Sequence, residues 1–233
     1  IVGPNAAPYT MPHLLDIDKD FESLVNSTIP EMGTGMSGLK VLVKEIDEDS
    51  IDVGSRLASA MADAKQYPGV PQLVLDNLTG EILNVVYEND KLYLKTLMSI
   101  HIDTCGETVE TPLTIESDGT RRIIEYMPLL YAITRHDAVY IVDEVERSIH
   151  PILIKDIINK LSKSTDTKGQ LIFTTHESAL LDQDIFRPDE IWFAQKDTDQ
   201  ATQLYPLSDF NIHKLFLYGN LLMPVHRKTT PNV

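Results

Sequence analysis

The 233-residue sequence holds one cysteine and one tryptophan, and neither can anchor a familiar small-domain scaffold. Cys105 alone closes no internal disulfide and makes no zinc set, which fits a reducing compartment. Long hydrophobic runs are also lacking: none approaches the roughly 18 residues needed to cross a bilayer. The opening IVGPNAAPYT has neither the basic start nor the apolar middle of a secretory leader, so a cytoplasmic location is expected. Positive charge is scarce, with 20 Lys and Arg against 35 Asp and Glu, a formal charge of −15. Its densest basic spots, RR at 121–122 and HRK at 226–228, are too short to line a nucleic-acid groove. Repeats and low-complexity segments are missing as well. At 42% hydrophobic residues the chain can still bury one large core or two modest ones. Its first residue is Ile rather than Met, which predicts a fragment or a set of ordered segments.

Residues 1–71 are interrupted by Pro and Gly; short helices are expected at 19–28 and 55–65, and the acidic stretch EIDEDSID at 45–52 reads as solvated loop. From 72 to 103, β-rich runs separated by NLTG and ND predict an antiparallel meander. After ESDGT at 116–120, Ile123, Ile124, Met127, Leu130 and Tyr131 recur at helical spacing, with Pro128 expected to kink the helix. The second half alternates strand and helix: strand 138–143, helix from Pro151 to about 164, strand 170–175, short helix 177–183, strand 189–195. Ile152, Ile154, Ile157, Ile158 and Leu161 are expected to form the buried face of the first of these helices. Apolar strands AVYIV and LIF, each followed by a helix, predict an α/β fold around a mostly parallel sheet. A hairpin turning at DTDQ (197–200) is expected to add antiparallel strands to its edge.

Ligands of open α/β sheets bind at the carboxyl ends of the strands. Asp143 and Glu144 finish one strand, and His176 closely follows the next. One carboxylate can hold Mg²⁺ through its water shell, the second can polarise a water, and a histidine can donate to a phosphate as charge shifts. Against this, an apolar strand ending in Asp-Glu is common by chance, and a lone histidine is usually a capping or loop residue. The polar turn at 116–122 opens a helix, so its amides can face a phosphate with the Ser117 hydroxyl beside them. Alternatively, Ser117 or Asp118 merely caps that helix.

In order and spacing, ESDGTRR, AVYIVDEVERSIHP, QLIFTTHESALLD and DEIWFAQKDTDQATQLYPLSDF resemble the C-terminal half of the ABC-type, SMC-like ATPases of prokaryotic defence operons. These are the RloA-like proteins and the ATPase subunits of Septu-type systems. The resemblance spans about 92–224 and implies a P-loop NTPase head that binds ATP and Mg²⁺. It implies Asp143 as the Walker B aspartate on Mg²⁺, Glu144 as the catalytic glutamate, Ser148–Pro151 as the D-loop and His176 as the switch histidine. ESDGT would be the signature motif, with Ser117 and Gly119 contacting the γ-phosphate held by the other protomer; Asp118 and Thr120 stand where transporters carry glycine and glutamine. It further implies a homodimer or higher homo-oligomer and an associated effector, often a nuclease, gated by the ATPase in anti-phage defence. Any direct nucleic-acid ligand is left open.

No Walker A occurs. In GTGMSGLK (33–40), Leu39 separates Gly38 from Lys40, and Val41 stands where Ser or Thr should bind Mg²⁺, so this segment is expected to be a loop before a strand. In the family it resembles, the phosphate loop lies far upstream of the signature on an N-terminal lobe, so the resemblance implies a lobe outside these residues, with 1–71 an irregular, helical insertion or arm and 72–233 the C-terminal lobe. Two other functions stay open. One is a Mg- or Mn-dependent nuclease using Asp143, Glu144, Glu146, His150 and His176. The other is an ATP-binding scaffold with little turnover. In the tail, Leu215, Phe216, Leu217, Leu221 and Leu222 either dock a partner or pack on the chain's own core.

Overall fold

The computed structural model describes residues 10–48, 55–77 and 79–210. The tail leucines and Phe216 lie outside the described residues. Two compact units are present: one holds the described residues up to Ile154 together with Asp166–Thr175, the other Lys155–Thr165 and the described residues from His176 onward.

The first unit is built on an antiparallel sheet of β1 (Gly38–Glu45), β2 (Gln72–Leu75), β3 (Ile82–Glu88), β4 (Lys91–Ile102) and β5 (Thr108–Pro112), in which β4 pairs with β1, β3 and β5. The meander is as expected, and the two-residue turn at Asn89 and Asp90 takes the positive φ that joins β3 to β4 tightly. GTGMSGLK does run into a strand, since β1 starts at Gly38 and lies antiparallel to β4. β1, which precedes residue 72, is hydrogen-bonded into the same sheet as the meander.

Helix α3 (Arg56–Gln66) lays Ala60, Met61 and Ala64 against Val74, Val85 and Leu92 on one face of the sheet. Helices α1 (Met11–Ile17), α2 (Lys19–Glu31) and α4 (Asp118–Arg135) belong to the same unit, with α1 packing on β1, β3 and β4 and α2 on β1 and α4. Phe21, Val25 and Ile29, at helical spacing, are the buried stripe of α2. Asp18 caps this helix by accepting from the amides of Asp20 and Phe21, each at 3.0 Å, and also accepts from the Tyr131 hydroxyl of α4. Pro128 lies inside α4 without ending it.

Strands β6 (Val139–Val142) and β7 (Gln170–Phe173) pair in parallel, Ile141 opposite Ile172 and Val142 opposite Phe173. The amides of Lys168 and Gly169 both donate to Ile133 O, at 3.0 and 2.9 Å, fixing the start of β7 to α4. A Cβ on Gly169 would sit 2.7 Å from Ala138 O, so only glycine fits this approach. The expectation of a mostly parallel sheet is corrected: among the described residues this pair is the only parallel one, and the larger sheet is antiparallel.

Helix α5 (Pro151–Lys163) starts at the expected proline and buries Ile154, Ile157 and Ile158, whereas Ile152 is 74% exposed. In the second unit, β8 (Trp192–Lys196) and β9 (Thr202–Pro206) form the expected hairpin. They make a two-stranded sheet of their own instead of extending the parallel one, with Phe193, Tyr205 and Phe210 stacking edge-on beside Ile191 and Leu207. The helix expected at 177–183 is a single 3₁₀ turn, Ser178–Leu180. No helix among the described residues is long and apolar enough to cross a membrane.

Candidate nucleotide site

At the carboxyl end of β6 the chain leaves the sheet through Asp143 and Glu144. Parallel pairing puts Thr174, the first residue past β7, beside them. The Thr174 hydroxyl donates to Asp143 Oδ1 at 2.5 Å and accepts from the Glu144 amide at 2.9 Å. Thr174 O accepts from the Val145 amide at 3.0 Å, and the Thr174 amide donates to Val142 O at 3.0 Å. The residue just past the neighbouring strand thus bonds both the Asp143 carboxylate and the Glu144 backbone. Asp143 is exposed and Glu144 half-buried, so both carboxylates are open to a solvated ligand. Glu144 and Ser148 have φ of 49° and 62°, the left-handed region that costs a non-glycine residue about 1–3 kcal/mol. Arg147 lies 3.8 Å from Glu144, a solvated contact contributing little.

The loop after β6 is held from the other side by α4. Ser117 caps this helix, its hydroxyl accepting from the Thr120 amide at 3.1 Å and lying 2.9 Å from the Thr120 hydroxyl. Asp118 pairs with Arg121 one turn on. Gly119, Arg122 and Tyr126 share one helical stripe, at i, i+3 and i+7. A Cβ on Gly119 would stand 2.8 Å from the backbone oxygen of Ser148, so the helix start and the loop touch through backbone. Seven residues on, the Tyr126 hydroxyl donates to Val145 O at 3.0 Å and accepts from Arg122 at 3.2 Å. Burial pushes the Tyr126 phenol above its ordinary pKa, with Arg122 pulling the other way, so it stays a donor.

The structure therefore brings together Asp143, Glu144 and Thr174 on one side, and Ser117, Gly119, Thr120 and Ser148 on the other. His176, exposed, follows β7 in sequence by three residues and opens the second unit. Reasoning from the sequence passed over Thr174 and Tyr126. The available signals were the hydroxyl directly after LIF and the seven-residue spacing from Gly119 to Tyr126.

The donor set suits a hard cation, being an open carboxylate with a hydroxyl and a second carboxylate beside it. Among the described residues no three His, Cys, Asp or Glu side chains converge as a metal-binding group, so the nuclease reading finds no assembled ligand cluster.

Comparison with known proteins gives the family. No curated protein matches the chain. A family model described as "AAA domain, putative AbiEii toxin, Type IV TA system" matches residues 28–182, a span holding the whole parallel pair, α4 and the loop between them. Covering well over half of the sequence, that match makes the chain a member of this AAA-domain family, which is of P-loop ATPase type.

Proposed function

We propose that the chain is the C-terminal part of an SMC-like ATPase head that hydrolyses ATP in a site shared between two protomers and so gates an associated effector, a nuclease, in anti-phage defence. The observation that carries the reading is the acidic pair at the end of a parallel strand, oriented by a hydroxyl from the neighbouring strand. Bound Mg²⁺·ATP supplies a γ-phosphoryl group whose transfer to water depends mainly on positioning and charge. Asp143 would hold the ion through its water shell, and Thr174 keeps one Asp143 oxygen fixed. Glu144 orients and accepts a proton from the attacking water, and His176 donates to the departing charge. Ser117, Gly119 and Thr120 present the start of α4 to the phosphate carried by the second protomer, with Asp118 and Ser148 lining the same edge.

Parallel strands normally have both faces covered. Here one face of the β6–β7 pair shows Val139, Ile141 and Ile172 at 58%, 40% and 47% exposure. That apolar face fits the packing surface of a lobe bearing the phosphate loop. RloA-like and Septu-type ATPases, which the sequence resembles, supply the expectation of an effector, and the acidic surface suits a protein partner better than nucleic acid.

Glu144→Gln tests the reading in the full gene product. Turnover should fall at least about 100-fold while ATP and Mg²⁺ now hold the protein as a stable dimer on size exclusion. Unchanged turnover would remove Glu144 from its role, and a full product without a GxxxxGK[ST] loop would end the proposal.

A further inference from the structure

One cluster behind the helix start has no part in the chemistry above. The side chain of Glu116, the residue before the Ser117 cap, turns back onto β4 and is only 11% exposed. Its Oε1 accepts from the Ser99 hydroxyl at 2.7 Å and lies 2.8 Å from His101 Nε2. Ser99 is fully buried, and its hydroxyl has one proton. Directed to the carboxylate, that proton leaves Ser99 Oγ to accept from the Thr111 hydroxyl of β5 at 2.8 Å. The other nitrogen of His101 faces Gly35 O at 3.2 Å, in the loop that leads into β1.

Two neighbouring positions on one face of β4 thus converge on a single carboxylate oxygen, and are themselves held by a hydroxyl on β5 and a carbonyl of the α2–β1 loop. A helix cap needs none of this: the Ser117 cap is complete without Glu116. What the cluster fixes is the direction in which the chain enters α4, hence where Ser117 and Gly119 point. A buried carboxylate with charge-assisted partners is a stiff tether, because losing either partner leaves a charge poorly solvated.

We infer that Glu116, clasped by Ser99 and His101, is a positioning residue that aims the Ser117–Gly119 turn at the phosphate of the nucleotide held by the second protomer. This rests on the reading of Ser117 given under the proposed function.

The test is a double-substitution cycle in the full gene product, reading ATP turnover, nucleotide affinity of the unassociated protomer and ATP-dependent dimer formation. Glu116→Ala should lower turnover and dimer formation roughly 10- to 100-fold while leaving nucleotide affinity of the lone protomer within about twofold. Glu116→Gln, which still accepts from Ser99, should recover most of the loss even if the alanine variant folds poorly. In the Ser117→Ala background, Glu116→Gln and Glu116→Ala should differ by less than about twofold, because a positioning residue acts only through the group it positions. Effects that multiply independently, or a wild-type rate for Glu116→Ala, would overturn the inference while leaving Ser117 in place. A wild-type rate for Ser117→Ala would instead overturn the reading of the turn on which the inference rests.

Discussion

Gly119→Ala measures the contact between α4 and the loop after β6. The new methyl would meet Ser148 O at 2.8 Å, where ordinary contact begins at 3.4 Å, so helix start and loop must part by about 0.6 Å. The obstacle is a backbone oxygen, and no side-chain rotation relieves it. Overpacking of this kind costs about 1–3 kcal/mol. Alanine recovers up to about 1 kcal/mol of helix propensity relative to glycine, and less in a first turn whose amides are not yet bonded within the helix. The clash therefore wins by roughly 1–2 kcal/mol, a fall in melting temperature of about 2–8 °C for a protein of this size. The movement acts on Ser117 and Ser148 together, so turnover should drop more than stability does, by roughly 10- to 100-fold. Adding Ser148→Ala should rescue neither readout, because the oxygen in the way is main chain. Calorimetry and a phosphate-release assay on the full gene product decide it. A variant that melts at or above wild type, with unchanged turnover, would refute the claim that backbone contact fixes the two segments against each other.

Thr174→Val removes the hydroxyl shared by Asp143 and the Glu144 amide. Because the site is open to water, stability should fall only about 0.5–1.5 kcal/mol. Turnover should fall roughly 10-fold or more, with Thr174→Ser restoring it, and equal rates for all three proteins would dismiss Thr174 as an orienting group. Away from the site, His13 is 8% exposed, with Nδ1 3.2 Å from Lys95 Nζ and 3.6 Å from Glu88, while Asp16 lies 2.8 Å from the same Lys95. Burial chiefly, then Lys95, lowers its pKa below the ordinary 6.5. Above that pH the ring is neutral in folded and unfolded chains alike; below it the unfolded chain takes the proton first, so stability is lost on acidification. Chemical denaturation between pH 7.5 and about 5, above the carboxylate range, should show this slope, and His13→Asn should flatten it. An identical slope in the variant would assign the pH dependence elsewhere.

Elements carried by local pattern were legible in the sequence. The meander, α4, the Pro151 start of α5 and both strands of the parallel pair follow from periodicity, turn residues and proline placement, which involve only near neighbours. Elements defined by a distant partner were not. TVETP of β5 has no apolar alternation and is a strand because β4 lies beside it. Helix α1 has seven residues with Pro12 in its first turn, too few for a periodic signal, and is held by the sheet on which it packs. Lys95 interrupts the apolar run LYLKTLMSI yet is 1% exposed, which is tolerable only because Asp16, Glu88 and His13 arrive from two other elements.

The same distinction divides the site. Asp143, Glu144 and Ser117 announce themselves by standing next to a strand end or a helix start, where unpaired backbone groups and solvent meet. Thr174 is 31 residues from Asp143, and Tyr126 is 19 from the carbonyl it holds, so their roles exist only once the parallel register and the face of α4 are set. A strand slipped by one residue would move Thr174 to the opposite face and leave the Asp143 carboxylate without its donor. Sequence therefore exposes the groups proposed to do chemistry, and the fold supplies the groups that aim them. That is why substitutions at Thr174, Gly119 and Glu116, none of which carries a proton in the proposed reaction, are the sharper tests of whether this geometry is the working one.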